Sequence, residues 1–287
     1  MVMKRNKITR MMLGTLVAIA LVFSACDREN SGENNGENGG GNNGEGGGGN
    51  QEYPSTVHIL PQAVTDVDGN TYDAVQIGNQ VWMAENLRAT RYADDTSIPL
   101  GESESREIPY RYAPGLGETN EENMVNVENY GYLYNWPAVM HGAASSNANP
   151  SGVQGVCPNG WHVPSDGEWA QLRAYLYRNS EYACGGFSSH IAKALASKNG
   201  WFVSNGDACA VGNNPNTNNA TGFSARPAGF DHGGYNFGFG KYAYFWSSTE
   251  GNGSYAYSRY LYYDTAYVNR NYGGKNYGFS VRCVRDE

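Results

Sequence analysis

The chain has 287 residues, with 20 basic and 28 acidic side chains and a formal net charge of −8 at pH 7. This acidic balance argues against nucleic acid or anionic lipid as a partner held through charge. Glycine and tyrosine are abundant, at 38 and 22 residues, which favours many turns and short strands with amphipathic rings.

The first 25 residues have the three parts of a secretory signal. Four basic residues in the first ten positions precede an apolar run over 11–23, and Ser24 and Ala25 follow. The run is shorter than the roughly 20 residues that a membrane-spanning helix needs, so we interpret 1–25 as a signal peptide rather than an anchor. Its removal takes away four of the 20 basic residues and no acidic ones, which leaves 16 against 28, a net charge of −12.

The end of this leader, Phe23-Ser24-Ala25-Cys26, resembles the bacterial lipobox, in which signal peptidase II cuts before a cysteine that is then acylated. Phe23 departs from the usual Leu at its position. The resemblance implies that Cys26 is the lipidated N-terminus and that the membrane is a partner through this anchor. Acyl chains stabilise such an anchor by about 0.8 kcal/mol per buried methylene.

Residues 26–52 follow as a low-complexity stretch of Asn, Gly and Glu with no apolar side chain after Cys26. Such a composition cannot bury enough surface to order itself, and we predict a disordered tether. Asp27 and Glu29 directly after the cysteine resemble the surface-export signal of lipoproteins in Bacteroidetes-type bacteria. This predicts a protein anchored in the bacterial outer membrane and exposed at the cell surface, with the periplasmic face as the alternative.

Residues 53–287 have the length of one folded domain. Turn signals at Asp68-Gly69 and Gly78-Asn79 separate predicted strands at 64–67, 71–77 and 80–83. Residues 94–129, with three prolines, read as a long surface loop. A dense aromatic stretch follows at 130–140.

The clearest local signal is the helix start at Pro164-Ser165-Asp166-Gly167-Glu168. Ser165 and Glu168 have the S-x-x-E spacing of a capping box, and Trp169, Leu172 and Leu176 form one apolar stripe. We predict a helix from 165 to about 179 and a second short helix over 190–197, ended by Asn199-Gly200. Further strands are predicted at 222–225, 244–248, 255–263 and 277–284, so the fold class is α+β, with few short helices, many short antiparallel strands and long loops.

Four cysteines remain after Cys26, and an even number in an exported protein favours two disulfides. Three pairings are open; we favour Cys157 with Cys283, tying the helix start to the last strand, and Cys184 with Cys209, closing a loop. Zinc binding and catalytic thiols are the competing interpretations. No C-x₂-C pair occurs and the five histidines are scattered, so we expect no bound metal and no cofactor.

Five ordered motifs carry a family resemblance, spanning about 64–285. The chain resembles the Fibrobacter succinogenes major paralogous domain family, common in lipoproteins of gut and rumen bacteria, whose biochemical role the resemblance does not supply. The motifs are Trp82-Met83-Ala84-Glu85-Asn86-Leu87, Gly131-Tyr132-Leu133-Tyr134-Asn135-Trp136, Cys157-Pro158-Asn159-Gly160-Trp161-His162-Val163-Pro164, Phe245-Trp246-Ser247-Ser248-Thr249 and Gly278-Phe279-Ser280-Val281-Arg282-Cys283-Val284.

A second resemblance concerns the fold. The helix start after His162 is similar to that of formylglycine-generating-enzyme-like proteins, and the segment around Arg282 to their closing strand. Those proteins have a C-type-lectin-like fold, in which a cysteine near the helix pairs with the last strand, as our Cys157–Cys283 pairing would. Fold carries no function with it. The copper-binding cysteine pair of those enzymes is absent near Cys283, so we expect no enzyme of this type.

Candidate ligand contacts are tyrosines near the C-terminus, namely Tyr255, Tyr257, Tyr260 and Tyr262. Alternation on a strand places the first two on one face with Arg259 and the last two on the other. Rings with a polar tip suit ligand surfaces, and they equally suit cross-strand packing. The calcium-binding triplets of C-type lectins are absent, and the nearest segment, Asn214-Pro215-Asn216, lacks a carboxylate.

Other chemistry-bearing residues have structural explanations. Trp82, Trp161, Trp169 and Trp246 fit core packing, Asp166 and Glu168 fit the first turn of a helix, and His162 fits a structural role. We therefore expect a non-catalytic surface lipoprotein with a binding or adhesion role towards a polysaccharide or a surface protein. A formylglycine-generating-type oxidase and a structural subunit of a surface assembly are the alternatives.

Overall fold

In a computed structural model, residues 58–286 are described; the predicted signal peptide, Cys26 and the tether over 26–52 lie outside them. The described residues form one compact unit. Its described strands, in chain order, are β1 (His58–Thr65), β2 (Thr71–Ile77), β3 (Gln80–Met83), β4 (Arg111–Tyr112), β5 (Leu133–Tyr134), β6 (Trp161–His162), β7 (Phe230–His232), β8 (Tyr235–Phe237), β9 (Tyr242–Asn252), β10 (Tyr255–Tyr262), β11 (Asn269–Gly274) and β12 (Val284–Arg285).

The larger sheet has five strands in the order β1-β2-β3-β12-β6, with antiparallel pairing at every step. The hairpin between β1 and β2 turns at the predicted Asp68-Gly69, where Gly69 has φ +85°. The carboxylate of Asp66 accepts from the backbone N–H of Asp68 and of Asn70, at 3.0 and 2.9 Å. This local bonding explains why Asp-rich turn residues occur here.

The second sheet has three strands in the order β11-β10-β9. Strands β9 and β10 pair antiparallel, with irregular register near Ala256. Two smaller two-stranded pairs, β4–β5 and the hairpin β7–β8, complete the named strands in the described residues. Every pair of named strands is antiparallel, as predicted.

The helices are short, apart from one. They are α1 (Asn120–Asn123), α2 (Val127–Tyr130), α3 (Trp136–Met140), α4 (Asp166–Arg178) and α5 (Ala192–Leu195). Helix α4, with 13 residues, begins where predicted. Both halves of the capping box are present: the Ser165 hydroxyl accepts from Glu168 N–H at 3.1 Å, and the Glu168 carboxylate accepts from Ser165 N–H at 2.9 Å.

Aromatic packing dominates the interior. Trp82, Trp161, Trp169 and Trp246 are all at most 4 % exposed, as predicted. Two large clusters make up most of the core, one around Tyr134 and Trp246, the other between α4 and the sheets around Trp82 and Phe223. In the second cluster the rings of Trp82 and Trp169 lie 4.5 Å apart. The tryptophans of the family-like motifs therefore stabilise the fold by burial.

Three predicted elements differ from the observed ones. Helix α5 ends at Leu195, because Ala196 turns extended and bridges Ala225, so the predicted stop at Asn199-Gly200 is wrong. The expected strand at 222–225 is this single bridge. Residues 94–129 contain β4 and α1 rather than loop alone.

Two further differences concern the C-terminal third. The predicted strand at 277–284 is observed as single bridges at Gly278, Phe279 and Ser280 and as β12 at its end, and the pair β7–β8 was not predicted. Among residues 58–286, no helix has the length and apolarity needed to cross a bilayer.

Candidate functional site

The structure places the four predicted ligand tyrosines on opposite faces of β10. Tyr255 and Tyr257 lie on the face of Arg259, and Tyr260 and Tyr262 on the other. The four rings therefore do not form one surface. Each pair has to be assessed with the residues that surround it.

On the second face, tyrosines of β9 and β10 lie opposite each other. The register pairs Tyr260 with Tyr244 and Tyr262 with Tyr242. Ring centroids are 4.9 Å apart in the first pair and 4.6 Å in the second, both stacked. We call these four residues the tyrosine strip. All four are half-buried, so the strip packs inward and still meets solvent.

The strip continues into other aromatic rings. Tyr244 stacks on buried Phe279 at 4.7 Å and contacts Phe230 of β7 at 5.5 Å. Phe230 in turn stacks on Phe237 of β8 at 5.5 Å and on Tyr277 at 6.0 Å. Phe237 is 46 % exposed. The result is a contiguous, partly exposed aromatic surface across two hairpins.

The hydroxyls of the strip remain protonated at physiological pH. Burial raises the pKa of Tyr260 and Tyr244 above the ordinary value of 10, and that of Tyr262 to about 12. Neutral phenols both donate and accept hydrogen bonds. The strip therefore presents apolar rings with polar, uncharged tips.

The opposite face of β10 is occupied by partners from the protein itself. The Arg270 guanidinium lies 3.8 Å from the centre of the Tyr257 ring and bonds the Asp166 carboxylate at 3.0 Å. The hydroxyls of Tyr257 and Tyr272 are 2.9 Å apart. The hydrogen bond from Tyr272, together with Arg270, lowers the pKa of Tyr257. Tyr255, 45 % exposed, extends beyond this cluster.

A cluster of polar residues that sequence reasoning missed lies beside β7. Asp231 is 2 % exposed, and burial raises its pKa to about 7. Its neighbour His232 contacts the Glu104 carboxylate at 2.9 Å, which also accepts from the Asn276 side chain at 2.5 Å. The Gly233-Gly234 pair, flanked by alternating aromatic and polar residues, is typical of a hairpin and could have predicted β7–β8. Nothing local in the sequence indicated Glu104 as a partner.

The comparison with protein families identifies the group to which the chain is related. A family model described as the Fibrobacter succinogenes major domain matches residues 75–285. The chain belongs to this family. No match was found among the curated proteins or among the solved structures.

The Fibrobacter succinogenes major domain motifs converge on the C-terminal segment in this chain. Leu87 N–H donates to Val281 C=O at 3.1 Å, and Tyr134 and Phe279 exchange two backbone hydrogen bonds of 2.8 and 3.0 Å. The indole of Trp246 donates to Tyr134 C=O at 2.7 Å. Motifs distant in the sequence thus form one hydrogen-bonded frame. The residues of these motifs therefore hold distant segments of the fold together.

Arg282 lies at the centre of this frame, fully buried. Its guanidinium donates to Asn86 Oδ1 at 2.7 Å, to Met83 C=O at 3.0 Å, to Ser224 C=O at 2.8 Å and to Phe223 C=O. Burial lowers its pKa to about 9, so it is charged at pH 7. No local pattern predicts these partners, which lie up to 199 residues away in the chain.

The cysteines of the domain are paired as the sequence analysis favours. Cys157 is bonded to Cys283 and Cys184 to Cys209. No group of three or more His, Cys, Asp or Glu within 58–286 is arranged to hold a metal ion. The copper-binding chemistry of formylglycine-generating enzymes uses cysteine thiolates, whereas Cys283 is in a disulfide.

The Asn-rich loop compared with a lectin calcium triplet encloses a lysine. The Lys193 ammonium, on α5, contacts Asn214 C=O at 3.4 Å, Thr217 Oγ1 at 3.1 Å, Asn218 Oδ1 at 3.3 Å and also Asn213 C=O. Burial lowers the pKa of Lys193. The oxygen atoms of this loop therefore already surround a cation, which is the Lys193 ammonium of the chain itself.

His162 is held between two carboxylates. Its Nε2 lies 2.6 Å from Glu168 and its Nδ1 lies 2.6 Å from Asp286. Burial by itself lowers the pKa of the imidazole, but the two carboxylates outweigh it and raise the pKa above 6.5. Glu168 is at the same time the capping carboxylate of α4. These contacts tie β6 to the start of α4 and to Asp286.

Proposed function

We propose that this protein is a lipid-anchored, exported surface protein whose domain binds carbohydrate polymers without catalysis. The observation that carries the proposal is the tyrosine strip with its extension to Phe230 and Phe237. Contiguous exposed apolar patches on a single domain mark interaction surfaces. Here the patch is aromatic, polar-tipped and uncharged.

The chemistry of the strip favours sugars. The C–H faces of a pyranose ring pack against aromatic rings, while its hydroxyls bond to phenol tips. Along β9, the rings of Tyr242 and Tyr244 lie 5.5 Å apart, so neighbouring rings could contact successive sugar units of an extended chain. A surface protein with matching aromatic side chains is the other partner that suits the same strip.

The anchor and the location follow from the leader. Cys26 in its lipobox-like context supports acylation, and the acidic residues after it support export to the outer face of the outer membrane. A tether over 26–52 would let the domain reach material outside the cell. Mass analysis of the native protein should find a lipidated N-terminus at Cys26, and an intact leader would contradict this.

We also infer a C-type-lectin-like arrangement for the domain. The supporting features are the disulfide from Cys157, before α4, to Cys283, before the last strand, and the mixed antiparallel architecture. Sugar binding in this domain would proceed without calcium, because Lys193 occupies the polar loop. A formylglycine-generating-type oxidase is a weaker candidate, because Cys283 is not a free thiol.

A polysaccharide array probed with the full chain tests the proposal. We expect binding that is equal in calcium and in EDTA, and roughly tenfold weaker in a Tyr260→Ala, Tyr262→Ala double variant. Tyr255→Ala, on the opposite face, is the matched control and should bind like the wild type. Circular dichroism melting of each variant separates lost binding from lost folding.

Three outcomes would overturn it. If no polysaccharide binds, the strip has another partner, and cross-linking in the outer membrane becomes the next experiment. If the Tyr255→Ala variant loses binding and the strip variant keeps it, the site lies on the Arg270 face. Binding abolished by EDTA would instead contradict the metal-free mechanism.

A further inference from the structure

Two cross-strand pairs lie on the face of β10 that points away from the tyrosine strip. The register places Arg259 opposite Arg270 and Tyr257 opposite Tyr272. In an antiparallel pair, residues directly opposite each other point to the same face, as do residues two apart on one strand. These four side chains, which we call the Arg270 face, therefore share one surface. It reaches the edge of the three-stranded sheet, where β11 is the outer strand.

Two guanidinium groups on the Arg270 face share one carboxylate. Arg259, which is 2 % exposed, donates to Asp166 Oδ1 at 2.5 Å. Arg270 donates through Nε to both oxygens of Asp166, at 3.0 and 3.2 Å. Asp166 is the only carboxylate of the described residues within ion-pair distance of either arginine. Like charges directly opposite each other destabilise a sheet, and one carboxylate offsets only one of the two.

A third arginine adds to this excess of positive charge. Burial lowers the pKa of Arg259, and the charges of Arg270 and of Arg173 on α4 lower it further, while Asp166 opposes them. Arg173 lies over the ring of Tyr177, at 5.3 Å. Three guanidinium groups thus stand near one carboxylate, in a chain whose net charge is −8. A local excess of this kind attracts an anion at short range.

Arg270 is the arginine of this cluster that solvent reaches most readily on the sheet. Its side chain is 44 % exposed. Because Nε bonds Asp166, the outer edge of the guanidinium lies outside the ion pair. The guanidinium is 3.8 Å from the centre of the Tyr257 ring, and the Tyr257 hydroxyl is 2.9 Å from that of Tyr272, which is 51 % exposed. A held guanidinium and an exposed aromatic ring therefore lie side by side.

We propose that the Arg270 face binds the carboxylate of a uronic acid residue in a polysaccharide. The outer edge of a guanidinium presents two parallel N–H donors, which match the two oxygens of a carboxylate. The C–H face of the sugar ring packs on Tyr272, about 7 Å along β11 from Arg270. The charge selects a uronate over a neutral hexose, and the ring selects a sugar over a small anion. This site is separate from the tyrosine strip and does not depend on it.

NMR titration of the full chain with galacturonate tests this proposal, with galacturonate methyl ester as the matched neutral ligand. We expect galacturonate to bind with a dissociation constant on the order of 1–10 mM. The methyl ester should bind roughly tenfold more weakly, because it lacks the charge that strengthens the hydrogen bonds.

Two variants and a control locate the site. Arg270→Gln should weaken galacturonate binding about tenfold, and Tyr272→Ala should weaken it about fivefold. Arg178→Gln removes the same charge from an exposed position at the last residue of α4, about 18 Å along the helix from Asp166. It should leave the affinity unchanged. Circular dichroism melting of each variant checks that the domain is folded.

Three results would overturn the proposal: no binding of galacturonate at tens of millimolar, equal affinity for the methyl ester, or unchanged affinity in Arg270→Gln. Acetate and sulfate are tested in parallel. If either binds as tightly as galacturonate, the face is a general anion site and the assignment to a sugar is wrong.

The outcome is distinguishable from that for the tyrosine strip. The Tyr260→Ala, Tyr262→Ala variant should keep full affinity for galacturonate even where binding of a neutral polymer is lost. Arg270→Gln should keep binding of the neutral polymer.

Discussion

Arg282 shows how one side chain joins segments that are remote in the sequence. A buried guanidinium without a carboxylate is normally unfavourable. Here its charge is solvated by three carbonyl oxygens and Asn86, and its plane lies 4.5 Å from the centre of the Phe223 ring. Arginine suits this position because its planar fork supplies several donors in fixed directions.

Replacing Arg282 with lysine should therefore be costly although the charge is retained. A lysine ammonium cannot reach all four acceptors, and each buried carbonyl left unpaired costs about 1–3 kcal/mol. We expect Arg282→Lys to lower the free energy of unfolding by about 3 kcal/mol or more, measured by urea denaturation. Arg285→Lys, at an exposed position on β12, should change stability little. Equal effects of the two variants would contradict this account.

His162 predicts a pH dependence of stability. Its folded pKa is raised above 6.5 by Glu168 and Asp286. The stabilisation that protonated His162 provides is therefore complete below the unfolded-state pKa near 6.5. It is lost as the pH rises through the higher pKa of the folded state. Each unit of difference between the two pKa values contributes about 1.4 kcal/mol.

Urea denaturation from pH 6 to 9 measures this effect. The wild-type free energy of unfolding should fall across the range, and the fall should be smaller in His162→Gln. If the free energies of unfolding of the wild type and of His162→Gln change with pH in parallel, His162 does not contribute to the pH dependence of stability.

Local sequence patterns predicted the ends of a helix correctly where the interactions that set those ends are also local. The capping box at Ser165 and Glu168 predicted the start of α4, because both partners lie within one turn. Asn199-Gly200 predicted the end of α5 wrongly, because pairing between Ala196 and Ala225 ended the helix first. Tertiary contact overrode a local stop signal in that case.

The loop over 213–218 is ordered by a contact that no local pattern shows. Its oxygen atoms surround Lys193, 20 to 25 residues earlier in the chain. Lys193→Met should leave these oxygens without a donor, lowering the free energy of unfolding by about 2 kcal/mol. Amide hydrogen exchange across 213–218 should accelerate. Lys198→Met, at an exposed position, is the control for the loss of charge.

The response to calcium tests whether the loop over 213–218 is ordered by Lys193 or is itself a metal site. Without Lys193 the loop keeps neutral oxygens and gains no carboxylate, which a calcium site would require. Adding millimolar calcium to Lys193→Met should therefore not restore slow exchange. Restoration by calcium would mean that the loop is a cation site in its own right.

For the whole molecule, the sequence predicted the class of fold and the cysteine pairing that the structure shows, but not the arrangement of the site. Strands and turns follow from alternation and from glycine positions. The tyrosine strip needed the register of β9 against β10, and the contact of His232 with Glu104 needed segments that lie 128 residues apart. Such contacts depend on packing between segments, which periodicity does not record.

The two disulfides should contribute unequally to the stability of the whole domain. Cys157 and Cys283 are separated by 126 residues, whereas Cys184 and Cys209 are separated by 25. A crosslink over the longer loop removes more entropy from the unfolded chain. The chain-entropy relation gives about 5 kcal/mol for the first and about 3.5 kcal/mol for the second.

Double alanine variants of each pair test this order by urea denaturation. Cys157→Ala with Cys283→Ala should lose about 1.5 kcal/mol more than Cys184→Ala with Cys209→Ala. Burial should enlarge this difference in stability. Both cysteines of the longer link are fully buried, so their truncation leaves space in the core and destabilises it further. If the shorter link proves the more stabilising, then the unfolded chain already holds the 157–283 ends together. That result would locate residual structure in the frame around Arg282.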